Sequence, residues 1–443
     1  MGDKFKAWLQ KHVMPIAGKL GTNRWLMAIR DGITMAMPLI IVGSLFMIIA
    51  SFPVPGWPEF LASISVHGTS LADIFNKIVN GSFGILGLIS CFGIAYSFAN
   101  QAGTDGTSAG IIAAASYFIV TPSIFSNAKV PLEGMPYGYL GSKGLFVGIL
   151  VGLLGGWIFQ WFINHDIQIK LPDTVPPAVG KSFSAMIPGF VIMSLAGITY
   201  GVCAWTGVGN IHDLLFKILR VPLSLLGDTI GGTLVAIFVN SALWFVGIHG
   251  MNVINGVMQP IWLLNSDANR QLYEAGHLDL AHGGHVICQS FIDNFVFMGG
   301  GGATLGLVLA LGVIVWRKKA STTIKSLAPI TIIPGIFNIN EPTMFGLPLV
   351  MNLTMVIPFI IVPMVNAIIS YIVMRLGWVP LPNGAVIPWT MPPILSGFLA
   401  TNSWQACILQ AFNIVVDIAI YAPFLMVYNN ELKEKEIADA KEN

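Results

Sequence analysis

Residues 144–164 read GLFVGILVGLLGGWIFQWFIN, a stretch without a single charged side chain. A helix needs about 20 mostly apolar residues to cross a bilayer, so the segment predicts a membrane span. The same pattern recurs at 32–52, 82–99, 107–122, 184–206, 226–248, 298–316, 348–374 and 404–428. Three apolar stretches are shorter. Residues 251–264, and the Pro- and Gly-interrupted 326–336 and 385–400, suit re-entrant hairpins better than full spans. The stretch GNIHDLLFKILRVPLS, 209–224, places apolar residues at helical spacing beside Lys217 and Arg220, and reads as an interfacial amphipathic helix. The expected fold is an all-α integral membrane protein with about ten transmembrane helices, re-entrant hairpins and that one interfacial helix.

Composition agrees. The 443 residues are 55% apolar and only 10% charged, against about 25% charged in soluble domains, and the mean hydropathy is +0.75. Too few charges exist to cover a water-facing surface, which excludes an ordinary soluble enzyme and a disordered chain. A net charge of +1 argues against a nucleic-acid partner. The four cysteines, Cys91, Cys203, Cys288 and Cys407, are far apart and form no CxxC; they read as small buried hydrophobes. No cleavable signal peptide is visible: residues 1–30 are amphipathic and carry six positive charges ahead of the first long apolar run.

Lys/Arg placement sets the expected orientation. Residues 1–30 and the cluster Arg317, Lys318, Lys319 and Lys325 belong on the cytoplasmic side, while 52–81 holds only Lys77 and belongs outside. Both termini are therefore expected in the cytoplasm. The chain divides on paper into a membrane half over 1–208, an amphipathic linker over 209–224, a second membrane half over 225–428 with the polar punctuation, and a short Glu- and Lys-rich tail over 429–443. There is no convincing internal repeat.

Ionisable groups at membrane depth are costly and mark functional candidates. Here they are Asp31, Asp228, His249, Asp293, Glu341 and Asp417. Asp31 beside Arg30 reads as an interfacial pair, Asp228 as a helix-start acid, and Asp417 as an interhelical partner in the last span. His249 and Glu341 stand in different surroundings. His249 lies in WFVGIHGMN, 244–252, where Gly247 and Gly250 break the helix. Glu341 lies in GIFNINEPTMFGLP, 335–348, where Asn338, Asn340 and Thr343 crowd beside it and Pro342 and Pro348 prevent a regular helix. Such a polar, broken patch is expensive in lipid, and a neutral, hydroxyl-rich solute would offset that cost.

Trp244, Asn252 and Asn255 flank His249. MGGGGATL, 298–305, puts Met298 and Gly299 at the start of a backbone surface without side chains, open to close approach. No GxxxxGK[ST] phosphate loop exists anywhere in the chain. Trp389, in WTMPP, offers a ring face on which a sugar could stack, although it and Trp244 also fit an aromatic interface belt. His277, His282 and His285 form a rival constellation for a metal, but 265–285 also holds Asp267, Arg270, Glu274 and Asp279 and reads as a solvated loop.

The GIHG around His249, the NxNEPxxFGLP over 338–348, the basic N-terminus with PIAGKLG at 15–21 and the order of spans resemble the membrane subunit, enzyme IIC, of sugar phosphotransferase systems, in its lactose/cellobiose/diacetylchitobiose branch. The resemblance covers nearly the whole chain. It implies a β-linked disaccharide such as cellobiose or diacetylchitobiose, bound in the second half and phosphorylated on its 6-hydroxyl by a phosphocysteine of a IIB subunit, with IIA upstream. It implies that Glu341 takes or orients the hydroxyl proton and that His249 bonds the same hydroxyl. The sugar would be held by Trp244, Asn252, Asn255, Met298, Gly299, Asn338, Asn340 and Trp389. It further implies a homodimer through the first half, in a lipid bilayer, and a bacterial plasma-membrane location. No cofactor or metal is expected. The chain stops 15 residues after the last span, so the phosphodonor is expected on another polypeptide. Two other readings compete: an ion-coupled secondary sugar transporter, with a proton on Glu341 or Asp293, and a metal-dependent intramembrane hydrolase at His282 and His285, for which no HExxH exists.

Overall fold

The computed structural model describes residues 22–442 apart from 53, 55, 126–132, 173 and 348, together with residues 11, 15, 18 and 19. The basic segment expected up to residue 21, apart from those four positions, and Pro348 of the Glu341 motif lie outside the described residues. Backbone contacts divide the chain into two compact units. One comprises Thr22–Ser224 with Asn255–Leu264; the other comprises, among the described residues after 22, Leu225–Ile254 and 265–442.

The first unit is built from regular helices, joined by short turns and two two-residue hairpin ladders. Arg24–Thr34 begins on Asn23, whose side chain accepts from the Trp25 and Leu26 N–H groups. Leu71–Phe83 begins with a reciprocal capping box between Ser70 and Asp73. Gly148, Gly152 and Gly156 form one stripe along Leu145–Asn164, facing Gly87, Cys91 and Ala95 of Leu86–Asn100. A Cβ on Gly148 would come within 2.6 Å of the Gly87 carbonyl oxygen, and one on Gly152 within 2.7 Å of that of Cys91. Small residues four apart let the two backbones touch, which is how helices gain contact where lipid removes the hydrophobic drive.

The second unit alternates helices with irregular backbone. Its helices are Ile230–Phe245, Gly250–Glu274 (whose middle, Asn255–Leu264, is assigned to the first unit), Leu305–Trp316, Thr322–Ile336, Leu353–Arg375 and Trp404–Glu442. Shorter pieces are Gln289–Phe291, which runs on as a π turn over Ile292–Val296, then Glu341–Gly346 and Leu395–Thr401. A core of Leu307, Leu311, Ile324, Met344, Leu347, Phe359, Val362, Tyr421 and Leu425 holds them together.

Each of the nine apolar runs contains a helix. Among the described residues six are long and apolar enough to span: Arg24–Ala50, Leu71–Asn100, Ser142–Asn164, Pro177–Trp205, Leu353–Arg375 and Trp404–Ala438. Gly106–Val120, Ile230–Phe245 and Leu305–Trp316 are apolar but shorter. The helix expected over 298–316 starts only at Leu305, because Gly299, Gly300 and Gly302 adopt positive φ ahead of it.

Two expectations require correction. Residues 251–264 are not a hairpin but the N-terminal part of a continuous helix, Gly250–Glu274, that accommodates Pro260. Of residues 265–285, only the part after Glu274 is an exposed loop. The helix continues to Glu274, and Asp267 and Arg270 are buried as an ion pair at 2.8 Å. Asn265 and Asn269, one turn apart, donate to the carbonyls of Ile287 and of His285 and Pro382. The polar face is spent inside the protein on backbone that cannot pair with itself. The interfacial segment expected at 209–224 forms a helix, Ile211–Gly227.

Candidate functional site

Ile230–Phe245 stops one residue after Trp244, and Gly247, at φ +83°, turns the chain so that His249 caps Gly250–Glu274. A side chain at Gly250 is impossible in this packing, since its Cβ would lie 2.2 Å from the Asn240 carbonyl oxygen. The His249 ring is exposed and lies 4.4 Å, centroid to centroid, from the buried indole of Trp244.

The glycine run is held from several sides. Asn338, at φ +62°, accepts from the Gly299 N–H at 2.6 Å and donates to the Trp389 and Met391 carbonyls at 2.7 and 3.0 Å. Asn340 donates to the Gly301 carbonyl at 3.0 Å. The Tyr421 hydroxyl donates to the Gly302 carbonyl and the Thr304 hydroxyl to that of Gly299, both at 2.6 Å. The Leu305 N–H closes the loop on the Met298 carbonyl. Gly301 faces the Trp244 indole: a Cβ there would stand 2.6 Å from Nε1.

These contacts link both motifs. His249 touches Trp244, Trp244 touches Gly301, Gly301 is bonded by Asn340, and Glu341 is the next residue. The Glu341 side chain is exposed at the start of Glu341–Gly346 and makes no hydrogen bond or ion pair among the described residues. The Trp389 ring is 55% exposed although its carbonyl is held by Asn338. The structure thus joins Trp244, Met298, Gly299, Asn338 and Asn340 at one glycine loop, with His249 against Trp244, Glu341 next in the chain after Asn340, and the Trp389 carbonyl held by Asn338.

It does not gather the remaining two. Asn252 is exposed on the first turn after His249 without a described side-chain contact to the loop, and Asn255 belongs to the other compact unit. Conversely, sequence reasoning missed Asn240 and Tyr421. Asn240 is fully buried and leaves both amide atoms without a partner. Trp244 Nε1 and Thr343 Oγ1 are likewise buried and unpartnered. A signal for Asn240 was its place one helical turn before Trp244; nothing in sequence points from Tyr421 to Gly302, 119 residues away.

The arrangement offers an exposed carboxylate, an imidazole, an indole face and a bare backbone strip. Groups of these kinds bond hydroxyls, and a carboxylate can accept a proton from one. The rival histidines are otherwise engaged. His282 pairs with Asp279 at 2.8 Å and His285 with Asp228 at 2.9 Å, while His277 stacks on His282. The backbone N–H and ring of His282 hold the Asp279 carboxyl below its ordinary range. Among the described residues no group of three or more His, Cys, Asp or Glu side chains converges on a metal position.

The family described as "Phosphotransferase system, EIIC" matches residues 30–363. The chain belongs to that EIIC family. The matched region contains Trp244, His249, the glycine run and Glu341, and ends before Trp389. The lichenan permease IIC component of Bacillus subtilis is 40% identical, over 98% of this chain and 96% of the relative. The cellobiose-specific EIIC component of Geobacillus stearothermophilus is also 40% identical, over 99% and 97%. Among solved structures, the transporter ChbC, the IIC component from the N,N'-diacetylchitobiose-specific phosphotransferase system, superimposes with a TM-score of 0.88 at 38% identity, covering 97% of this chain and 99% of ChbC. The protein is an EIIC component of the phosphotransferase system with a multi-pass membrane fold.

Proposed function

We propose that the chain is a group-translocating permease for a β-linked disaccharide of the cellobiose or diacetylchitobiose type. The contacts from His249 to Trp244, from Trp244 to Gly301 and from Gly301 to Asn340, the residue before Glu341, support this reading. The names of the relatives, which are lichenan, cellobiose and diacetylchitobiose components, support the substrate class.

In this reading the sugar stacks on Trp389 and lies along the glycine strip, its hydroxyls bonded by His249 and the nearby asparagines. The 6-hydroxyl faces Glu341. Its oxygen attacks the phosphorus of a phosphocysteine on a separate IIB subunit, the S–P bond breaks, the thiolate leaves, and Glu341 takes the hydroxyl proton. His249 bonds the attacking oxygen and orients it. Such a reaction asks mainly for a positioned nucleophile with a base in reach. IIA recharges IIB. Residues 225–428 carry the sugar, 1–208 form a homodimer interface in the plasma membrane, and 209–224 link them along the membrane plane. About ten spans and cytoplasmic termini complete the proposal.

The test is phosphorylation of radiolabelled cellobiose and diacetylchitobiose by the purified protein in liposomes, with and without phosphorylated IIB. Sugar phosphate is expected only with IIB. Glu341→Gln is expected to abolish it while sugar binding stays within about tenfold, or roughly 1.4 kcal/mol. Uptake of unmodified sugar without IIB would overturn the proposal in favour of an ion-coupled transporter.

A further inference from the structure

Asp417 sits in the middle of the Trp404–Glu442 helix and is fully buried. The mechanism proposed above does not use it. Its Oδ2 accepts one bond, from Asn366 Nδ2 at 3.2 Å, and that nitrogen also donates to the Val296 carbonyl at 3.4 Å. Asn413, one turn before Asp417, donates from Nδ2 to the Ser370 hydroxyl at 2.9 Å. The oxygens left over are Oδ1 of Asp417, Oδ1 of Asn366 and Oδ1 of Asn413, all buried and all without a partner. The cluster therefore has surplus acceptors and lacks a donor.

No cation supplies one. Among the described residues Asp417 has no ion pair. The facing helix Leu305–Trp316 carries no titratable group, and a Cβ on its Gly306 would fall 2.3 Å from the Asp417 Cβ. Leu395–Thr401 carries none either. On Leu353–Arg375, Arg375 is exposed and bonded to Tyr371 at the far end. On the π turn, Asp293 accepts from Gln289. Lys325 of Thr322–Ile336 is exposed. On its own helix, Tyr421 spends its proton on Gly302, and the charged residues begin at Glu431. A bare carboxylate in such surroundings is among the costliest groups a membrane protein can bury.

We propose that Asp417 is a proton-binding site: it is the neutral carboxylic acid here, and its Oδ1–H donates to Asn366 Oδ1. The acid and the amide then form a closed pair, each donating once and accepting once, and two of the three orphaned oxygens are satisfied by one proton. The pair ties Leu353–Arg375 to Trp404–Glu442 one turn from Tyr421, the residue that anchors the glycine loop. Loss of the proton would place an uncompensated anion against Gly306, where the helix leaving that loop begins.

Infrared spectra of the purified protein in H2O and D2O test this. The wild type should show the carbonyl band of a protonated acid, shifted down in D2O and missing in Asp417→Asn but retained in Asp293→Asn. Because an amide reproduces both bonds of the pair, Asp417→Asn should fold and keep sugar binding within twofold, whereas Asp417→Leu should not. If the wild type and Asp417→Asn differ only in carboxylate bands, the proposal falls. It falls equally if sodium, substituted for choline, removes the acid band, because Asp417 would then be a cation ligand. Asn366→Leu gives an independent reading on a chain that keeps the acid: the band should shift as its partner disappears, and an unchanged band would overturn the pairing.

Discussion

Residues 22–224 and residues 225–443 solve the same problem in opposite ways. Both must satisfy backbone polar groups inside lipid. In the first region the helices do so themselves, and hydroxyls fold back on the preceding turn: Ser44 on Ile40, Thr121 on Tyr117, Thr199 on Leu195. Packing there depends on glycine stripes. In the second region the chain leaves helical geometry at 275–288, 297–304, 337–340 and 376–394. Side-chain amides replace the missing ladder: Asn265, Asn269, Asn338, Asn340 and Asn383 and Gln410 all bond backbone carbonyls of those segments or their neighbours. Asparagine in one region does what helix propensity does in the other, and irregular backbone is what leaves groups available to a ligand.

The sharpest way to break this comparison is Asn338→Ala. It removes three bonds to the site backbone and puts a less tolerant residue at a positive φ. A loss of about 4 kcal/mol is expected from orphaned buried groups and strain together, measured by thermal unfolding in detergent. A loss under about 1 kcal/mol would mean that the loop holds itself up. Thr199→Val, its counterpart among the regular helices, should leave the transition where it was.

A pair of glycine substitutions separates packing from site. Gly152→Ala pushes a methyl toward the Cys91 carbonyl and should cost about 2 kcal/mol of stability with unchanged sugar affinity. Gly301→Ala displaces the Trp244 indole and should weaken sugar binding about tenfold, roughly 1.4 kcal/mol, at a smaller cost in stability. Equal effects of both on binding would erase the distinction between the regions.

The first region also holds a pH-sensitive contact. His212 is buried between Tyr117 and Tyr139, bonded to the Thr121 hydroxyl at 3.0 Å, and burial pushes its imidazole from 6.5 down to about 4. The folded protein thus binds this proton less readily than the unfolded chain. The stability is full above the unfolded value and is lost as pH falls from 6.5 through about 4, by about 2 kcal/mol once partial hydration is allowed for. Unfolding followed from pH 7 to pH 4 in the wild type and in His212→Gln should show that slope only in the wild type. The smallest effect is expected at the exposed His282–Asp279 pair. His282→Gln should change neither the melting temperature nor sugar phosphorylation, and chelators should be silent; a response to either would revive a metal role for 277–285.

Local chemistry made much of this legible in advance. Spans are written as apolar runs, and all nine contain helices because backbone in lipid has few alternatives. His249 and Glu341 stood out because Gly and Pro broke the helix around polar residues. Residues 251–264 were misread because their apolar stretch is short, and 265–274 because that stretch runs on into a polar turn of the same helix. A polar helical face looks the same in sequence whether it meets water or the backbone of a distant segment, and Asn269 meets Pro382 across 113 positions.

By itself, then, the sequence determined that this chain is a helical membrane protein with two broken, polar motifs at His249 and Glu341, since hydropathy and helix breaking act within a few residues. Only the tertiary structure decided that the motifs share a glycine loop, that Asn338 and Tyr421 hold it, and that Asp417 faces Asn366. Those are pairings between groups dozens of residues apart, selected by which unsatisfied donor and acceptor the packing brings within 3 Å or so of one another.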